Sequence, residues 1–445
     1  MDDPTHLERI GPKGWLRYVF PFQLPENYDI DEVSRIYRTG FDAAKQRLPA
    51  MGSEVVPAPE IKHTGVLKLQ IIPEGDIEPI TVKDLRAEGA FPLTFAELKA
   101  KRFPVSAFEA SKICPRSVWP TSGDRLPISL VQLNFIQGGM IMGWNLFHQF
   151  GDSVTGYTWS QVWAEECRRA QGEEISSPLC LPDQSFAHRA QIKQPSGHNT
   201  GQVEKHPEYL VLPFTPQSTP PKMFPICTAA EATPTNATNP CLTDSEYIST
   251  NDALSALLWR TIMAVQNPAD SLGDADPVSA FALAIDGRLR TNPPVHPQTQ
   301  GCFLEYLGVE LPIRKMLAGK LADIAIEIRR SVAIADKEWT DDVVTLIDSL
   351  EDVNRIILKA FTDVPGFNCV QTSWVEFRIY NVSWGKALGS TVQAVRSPDV
   401  GVINGCQVIF PAPPEGGLEV LIGVEEGCLD KLLHDPLWNK FAVVI

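Results

Sequence analysis

Leu130-Val-Gln-Leu-Asn-Phe135, a turn at Gly138-Gly139, and Met140-Ile-Met-Gly-Trp-Asn-Leu-Phe147 running into His148-Gln-Phe-Gly-Asp152 form the stretch whose reading decides the fold. Two apolar runs joined by a glycine turn predict a β-hairpin. The aromatic-rich Thr158-Trp-Ser-Gln-Val-Trp-Ala-Glu-Glu-Cys167 behind it predicts a helix. Alternation along the returning strand puts Met142, Trp144, Leu146 and His148 on one face. Gly143 and Asn145 fall on the other, where a partner can approach closely. An imidazole at a strand end, with a carboxylate four residues on, suits general-base chemistry. Histidine titrates near neutral pH, so its neutral ring accepts a proton from a hydroxyl.

Working outward, residues 15–170 read as one α/β unit. Leu16-Arg-Tyr-Val-Phe20 predicts an opening strand, and Val33, Ile36, Tyr37 and Phe41 mark a helix starting near Asp31. Between about 175 and 245 prolines cluster (Pro178, Pro182, Pro195, Pro213, Pro216, Pro220, Pro221, Pro225). That composition predicts a long crossover rather than core. The expected domains are therefore 1–175, a linker over 176–245, and 246–445. In the second half Ser249-Thr-Asn-Asp252 caps an apolar-periodic helix through Trp259. Val278–Ile285 predicts a strand, and Leu321, Ile324, Ala325, Ile328 and Val332 stripe a helix over 319–335. Ser373–Phe377, Cys406–Phe410 and Leu418–Val424 predict three further strands.

The bulk numbers set limits. A chain of 445 residues exceeds one ordinary core, and 44% apolar with 21% charged residues is a soluble globular balance. No run of eighteen apolar residues occurs, and Met1-Asp-Asp-Pro-Thr-His6 lacks a signal pattern, so a cytoplasmic, monomeric protein with no membrane partner is expected. Nine cysteines without a C-x-x-C pair predict reduced thiols and no metal site. A formal net charge of −15 speaks against nucleic acid. A local cluster of Arg288, Arg290, Arg314, Lys315 and Lys320 can still receive an anionic ligand. The sequons at Asn236 and Asn381 carry little weight in a cytosolic chain. The patterns G-x-S-x-G, G-x-G-x-x-G, Walker A and H-E-x-x-H are all missing, which disfavours hydrolase, dinucleotide, NTPase and zinc-protease readings.

Eight histidines and twenty-six aspartates give about half an H-x-x-x-D match by chance, so His148 and Asp152 alone decide nothing. Further pieces follow in order. They are Ser249 to Arg260, Ala284-Ile-Asp-Gly-Arg-Leu-Arg290, Thr372-Ser-Trp374, Asn381-Val-Ser-Trp-Gly-Lys386 and Gly417-Leu-Glu-Val420. Together they resemble the BAHD acyltransferases, specifically the fungal branch that acylates secondary metabolites. The matched motifs are H-x-x-x-D, D-G-R-x-R, T-S-W, D-F-G-W-G-K and the C-terminal G-G-[IL]-E-V strand.

The resemblance implies an α/β fold of two chloramphenicol-acetyltransferase-like domains with mixed sheets and an active-site channel between them. It implies acetyl-CoA or another acyl-CoA as co-substrate, no metal, and a small hydroxylated acceptor such as a terpenoid, polyketide or alkaloid. His148 is then the base and Trp374 the oxyanion donor, with Thr372, Trp144 and Asn145 lining the acceptor. Ser255, Arg288 and Arg290 are the candidate CoA contacts. Asp152 is expected to pair with an arginine, Arg288 or Arg290, and so to order the loop that aims the histidine. Three departures stand out: Ser153 for Gly, Phe147 for a second histidine, and Asn381-Val-Ser383 for Asp-Phe-Gly. Ser153 is expected to make the turn less permissive, and Asn381 to alter structural support rather than activity. Two alternatives stay open. One keeps the fold and the histidine for carrier-protein thioesters or a non-acyl rearrangement, and the other is a non-catalytic binding protein.

Overall fold

A computed structural model of the chain describes residues 3–192, 194–216, 223–224, 226–230, 247–362, 366–398, 402–403, 405–425 and 427–444. Pro220, Pro221, Pro225 and the Asn236 sequon lie outside the described residues. The chain divides into two compact units. The first comprises Met1–Lys193, Val295–Phe303 and Glu376–Asp399, and the second comprises Gln194–Pro294, Leu304–Val375 and Val400–Ile445. Two short segments of the second half thus belong to the first unit, which composition along the chain does not reveal.

The first unit is built on a sheet of β1 (Trp15–Phe22), β2 (Ile80–Asp84), β3 (Ser129–Ile136) and β4 (Gly139–Phe147). Its order is β1-β4-β3-β2, antiparallel except for the parallel β2–β3 pair. Ile136 faces Gly139 across a two-residue turn, and Gly138 takes the left-handed conformation (φ 83°) such a turn requires. Helices α1 (Ile30–Arg47) and α2 (Ser153–Ala170) supply an aromatic core. In it Trp163 meets Phe41 edge-on at 5.3 Å, Tyr37 at 5.6 Å and Trp144 at 6.0 Å. Fully burying each such side chain contributes about 1.5–3 kcal/mol, and edge-to-face geometry adds to that.

Residues 110–119 cover part of the same sheet. A Cβ on Gly143 would sit 2.0 Å from the Ile113 carbonyl oxygen, so only glycine lets this segment lie against the strand. Three buried amides pin it. Gln132 Nε2 donates to Lys112 O (2.6 Å), Asn134 Nδ2 to Ile113 O (3.0 Å) and Asn145 Nδ2 to Arg116 O (3.1 Å). The segment 376–399 adds a strap along β1, where Val19 and Arg396 exchange backbone bonds of 2.9 and 3.0 Å. Trp384 anchors it, fully buried against Phe22, Tyr37 and Trp163, and Gln171 Nε2 donates to its carbonyl at 2.7 Å. Asn381 is exposed in a 3₁₀ turn of this strap (Ile379–Asn381).

The second unit carries a seven-stranded mixed sheet of β5 (Ile226–Ala230), β6 (Val278–Asp286), β7 (Leu304–Pro312), β8 (Cys369–Ser373), β9 (Cys406–Ile409), β10 (Glu419–Gly423) and β11 (Val443–Val444). The order is β7-β6-β8-β9-β10-β5-β11, with β8 parallel to both neighbours. Helices α3 (Thr250–Gln266), α4 (Leu321–Ile334) and α5 (Lys337–Ser349) belong to the same unit. Ser249 caps α3 through a reciprocal box with Asp252, as its position in the sequence predicts. The strand expected over 373–377 instead ends at Ser373. Trp374 N–H still bonds Ile409 O (2.8 Å), but a turn follows at 375–376, where the chain passes to the first unit. Strand β7 and helix α5 were not expected, although β7 shows period-two burial of Glu305, Leu307, Val309 and Leu311. No described helix is long and apolar enough to cross a membrane.

Candidate functional site

His148 opens a single 3₁₀ turn (His148–Phe150) between β4 and α2. The strand pleat stops at Phe147, so the turn rather than the alternation sets the ring's direction. The His148 backbone N–H donates to Gly14 O at 2.8 Å. The side chain is half-buried, with Nδ1 sealed in and making no hydrogen bond. That leaves Nε2 as the ring nitrogen open to a ligand. Burial pushes the imidazole pKa below its ordinary value, against the opposing pull of nearby backbone carbonyls and the Asp152 carboxylate. The ring is therefore neutral at physiological pH, which is the form a base needs.

Asp152 is the N-cap of α2 and is 7% exposed. Its Oδ1 accepts from Thr155 N (2.9 Å) and its Oδ2 from Phe303 N (3.0 Å). Thr155 Oγ1 donates to Gly301 O at 2.7 Å, and Trp159 Nε1 to Gln300 Oε1 at 2.7 Å. The returning segment 295–303 is thus stitched to the start of α2, four residues from the histidine. Thr155, Gln300, Gly301 and Phe303 are site-supporting residues that sequence reasoning missed. Only Gly301, at φ 135°, carries a local signal. Ser153 begins α2 in ordinary helical conformation and hydrogen-bonds the buried Tyr18 hydroxyl. The turn does not need glycine there, so the expected loss of permissiveness is not found. Phe147 is fully buried, edge-on to Trp15 at 5.2 Å.

The other candidates fall in varied surroundings. Trp144 lies in the aromatic core with its indole N–H donating to Ser129 Oγ (2.8 Å), a packing environment. Asn145 is fully buried, with Oδ1 unpartnered. In the second unit, Thr372 is half-buried on central strand β8, opposite Val408. Trp374 follows the strand, buried and edge-on to Phe410 at 5.9 Å. Ser255 is fully buried between Asn251 O (2.7 Å) and Gln371 Oε1 (2.6 Å). Arg288 is fully buried and bonds Asp286 Oδ1 at 2.9 Å. Arg290 donates to Ala335 O (3.0 Å) and Asp286 O (2.7 Å). Cys167 and Cys369 are buried thiols whose pKa burial raises, which fits packing rather than an acyl relay. Among the described residues no three His, Cys, Asp or Glu side chains gather as metal ligands would.

Comparisons with known proteins agree with this frame. Residues 15–167 match the trichothecene 3-O-acetyltransferase-like N-terminal domain, and residues 93–436 match the Transferase family. The enoyl-CoA isomerase/hydratase claC of Penicillium crustosum is 25% identical over 98% of this chain, which spans only 50% of that relative's length. The trichothecene 3-O-acetyltransferase TRI101 of Fusarium sporotrichioides is 24% identical over 96% of this chain and 92% of its own. The crystal structure of F. graminearum TRI101 complexed with coenzyme A and deoxynivalenol superposes with a TM-score of 0.84 at 20% identity, covering 99% of both chains. With the Transferase family match covering well over half of its length, this chain belongs to that family, as a BAHD-type acyltransferase of the fungal branch.

Proposed function

We propose that the protein transfers an acyl group, acetyl first among candidates, from acyl-CoA to a hydroxyl of a ring-containing secondary metabolite. The observation that carries the reading is a neutral, half-buried His148 with Nδ1 enclosed and Nε2 open, on a turn held by Asp152. Nε2 removes the acceptor hydroxyl proton as the oxygen attacks the thioester carbon. The resulting tetrahedral oxyanion takes a hydrogen bond from the Trp374 indole N–H, with Thr372 beside it. Collapse breaks the C–S bond and expels CoA thiolate, which regains the proton from the imidazolium. Asp152 acts through position: two backbone N–H bonds to its carboxylate fix the start of α2 and with it the turn that presents the ring.

A base of this kind contributes about 10²–10⁴-fold, and an oxyanion donor about 10²–10³-fold. The reading takes the enzyme to be a cytoplasmic monomer using a small-molecule acceptor. Relatives support the class: one is a trichothecene acetyltransferase and another an eremophilane O-acetyltransferase of Penicillium rubens. The test is CoA release from acetyl-CoA across hydroxylated terpenoids, polyketides and alkaloids, starting with deoxynivalenol. Acceptor-dependent release that His148→Ala lowers by at least ~10²-fold supports the proposal. Release that is unchanged in His148→Ala contradicts it. Transfer only from a carrier-protein thioester selects the alternative donor.

A further inference from the structure

Arg17 is a largely buried cation in the first unit with no ion pair among the described residues. It lies within β1, directly opposite Asn145 in the β1–β4 register. Residues paired this way project from the same face, here the face on which Gly143 meets residues 110–119. Arg17 is only 8% exposed, yet among the described residues it makes no ion pair and no hydrogen bond. Burial lowers its pKa, and the group that opposes this is the Cys114 thiol, itself pushed up to about 12 and so uncharged. Among the described residues no carboxylate pairs with the guanidinium, and its nitrogens are not among the atoms sealed from solvent, so its N–H donors remain available to a ligand.

The surroundings share this incompleteness. Asn145 Nδ2 is fixed by Arg116 O, so the amide cannot flip, and its buried Oδ1 has no partner. Trp119, whose ring comes within 2.9 Å of where a Gly14 Cβ would be, has a buried indole N–H that is also unpartnered. Gly14 is the residue whose carbonyl holds the His148 backbone. Strand rise places the Asn145 backbone about 10 Å from that of His148.

We propose that Arg17, oriented by Asn145 Oδ1 and joined by the Trp119 indole N–H, anchors a carboxylate carried by the acceptor molecule. The Arg17 fork and the indole donate to the two carboxylate oxygens, and Asn145 accepts a remaining guanidinium N–H. The acceptor class is a hydroxy acid on a two- or three-ring skeleton, with its carboxylate at Arg17 and its reacting hydroxyl at His148. Calling this ligand the acceptor rests on the acyltransferase reading; the anion site itself does not.

The experiment is fluorescence titration of the full-length protein with 6-hydroxy-2-naphthoate and with its methyl ester. Wild type is expected to bind the acid at least ~10-fold tighter than the ester, as a charge-assisted pair allows. Arg17→Gln brings the ratio close to one, whereas His148→Ala preserves it. Arg17→Gln also melts no lower than wild type, because no internal bond is lost. Equal affinities in wild type, no acid binding at millimolar concentration, or a ratio that survives Arg17→Gln would each overturn the proposal. Absence of acetyl transfer with the acid-to-ester ratio intact would instead strike the acyltransferase reading alone.

Discussion

Asp152→Asn is the most instructive perturbation, because it is nearly isosteric and the structure says it is not conservative. The carboxylate receives one backbone N–H on each oxygen, Thr155 N at 2.9 Å and Phe303 N at 3.0 Å. An amide offers a single acceptor oxygen, so its NH₂ must confront one of those donors. Loss of a helix N-cap costs about 0.5–2 kcal/mol, and a buried N–H left unsatisfied about 1–3 kcal/mol. Asp152→Ala loses both and is expected to cost about 2–4 kcal/mol. Asp152→Asn loses one and costs about 1–3 kcal/mol. Asp152→Ser keeps the Thr155 cap and gives up the Phe303 bond, so it falls beside Asp152→Asn. Urea unfolding of the four proteins at pH 7, with kcat/KM measured alongside, gives the order wild type, then Asn and Ser, then Ala in both readouts. Asp152→Asn within ~0.5 kcal/mol of wild type, or Asp152→Ala no worse than Asp152→Asn, refutes the two-bond argument.

Three further outcomes are expected. Trp374→Phe removes the proposed oxyanion donor while keeping an aromatic, so kcat falls ~10²–10³-fold with KM little changed; a fall confined to KM contradicts the role. Trp144→Phe breaks the bond to Ser129 and costs about 1–2 kcal/mol of stability, with the catalytic step intact at temperatures where it stays folded. Burial raises the Glu305 carboxyl to about 7 from 4.5. The folded state therefore holds a proton that the unfolded chain releases between those values, and stability declines as pH rises through that window. Glu305→Gln removes this decline, so denaturation at pH 5 and pH 8 should show the variant gaining on wild type at pH 8 by at most roughly 3 kcal/mol. A difference independent of pH contradicts it.

Local chemistry was legible where it was self-contained. The hairpin, the cap of α3 and the stripe of α4 need only neighbours within a dozen residues, and their sequences say so. What depends on distant segments was not. The bonds that Asp152 takes from the backbone N–H groups at 155 and 303 leave no side-chain pattern to read. Trp144 was a candidate lining residue, and its surroundings are set by Tyr18, Phe20, Trp163 and Ser129, which lie far from it in the chain. Ser153 and Asn381 looked like weaknesses against the family motif. One begins a helix that asks nothing of glycine, and the other sits exposed on a strap anchored by Trp384. Arg17 drew no notice in the sequence, because a lone arginine in a strand becomes informative only once its neighbours prove to lack a carboxylate.

The measurement that bears most directly on the account is the pH dependence of kcat/KM for acetyl transfer to whichever acceptor the panel identifies, in wild type and His148→Gln. Burial lowers the His148 pKa, so wild-type activity should rise with pH through one ionisation below 6.5, the ordinary value for histidine, and then stay level. In His148→Gln the rate should drop at least ~10²-fold and that ionisation should vanish. A profile of the same shape and height in the variant would show that another group takes the proton.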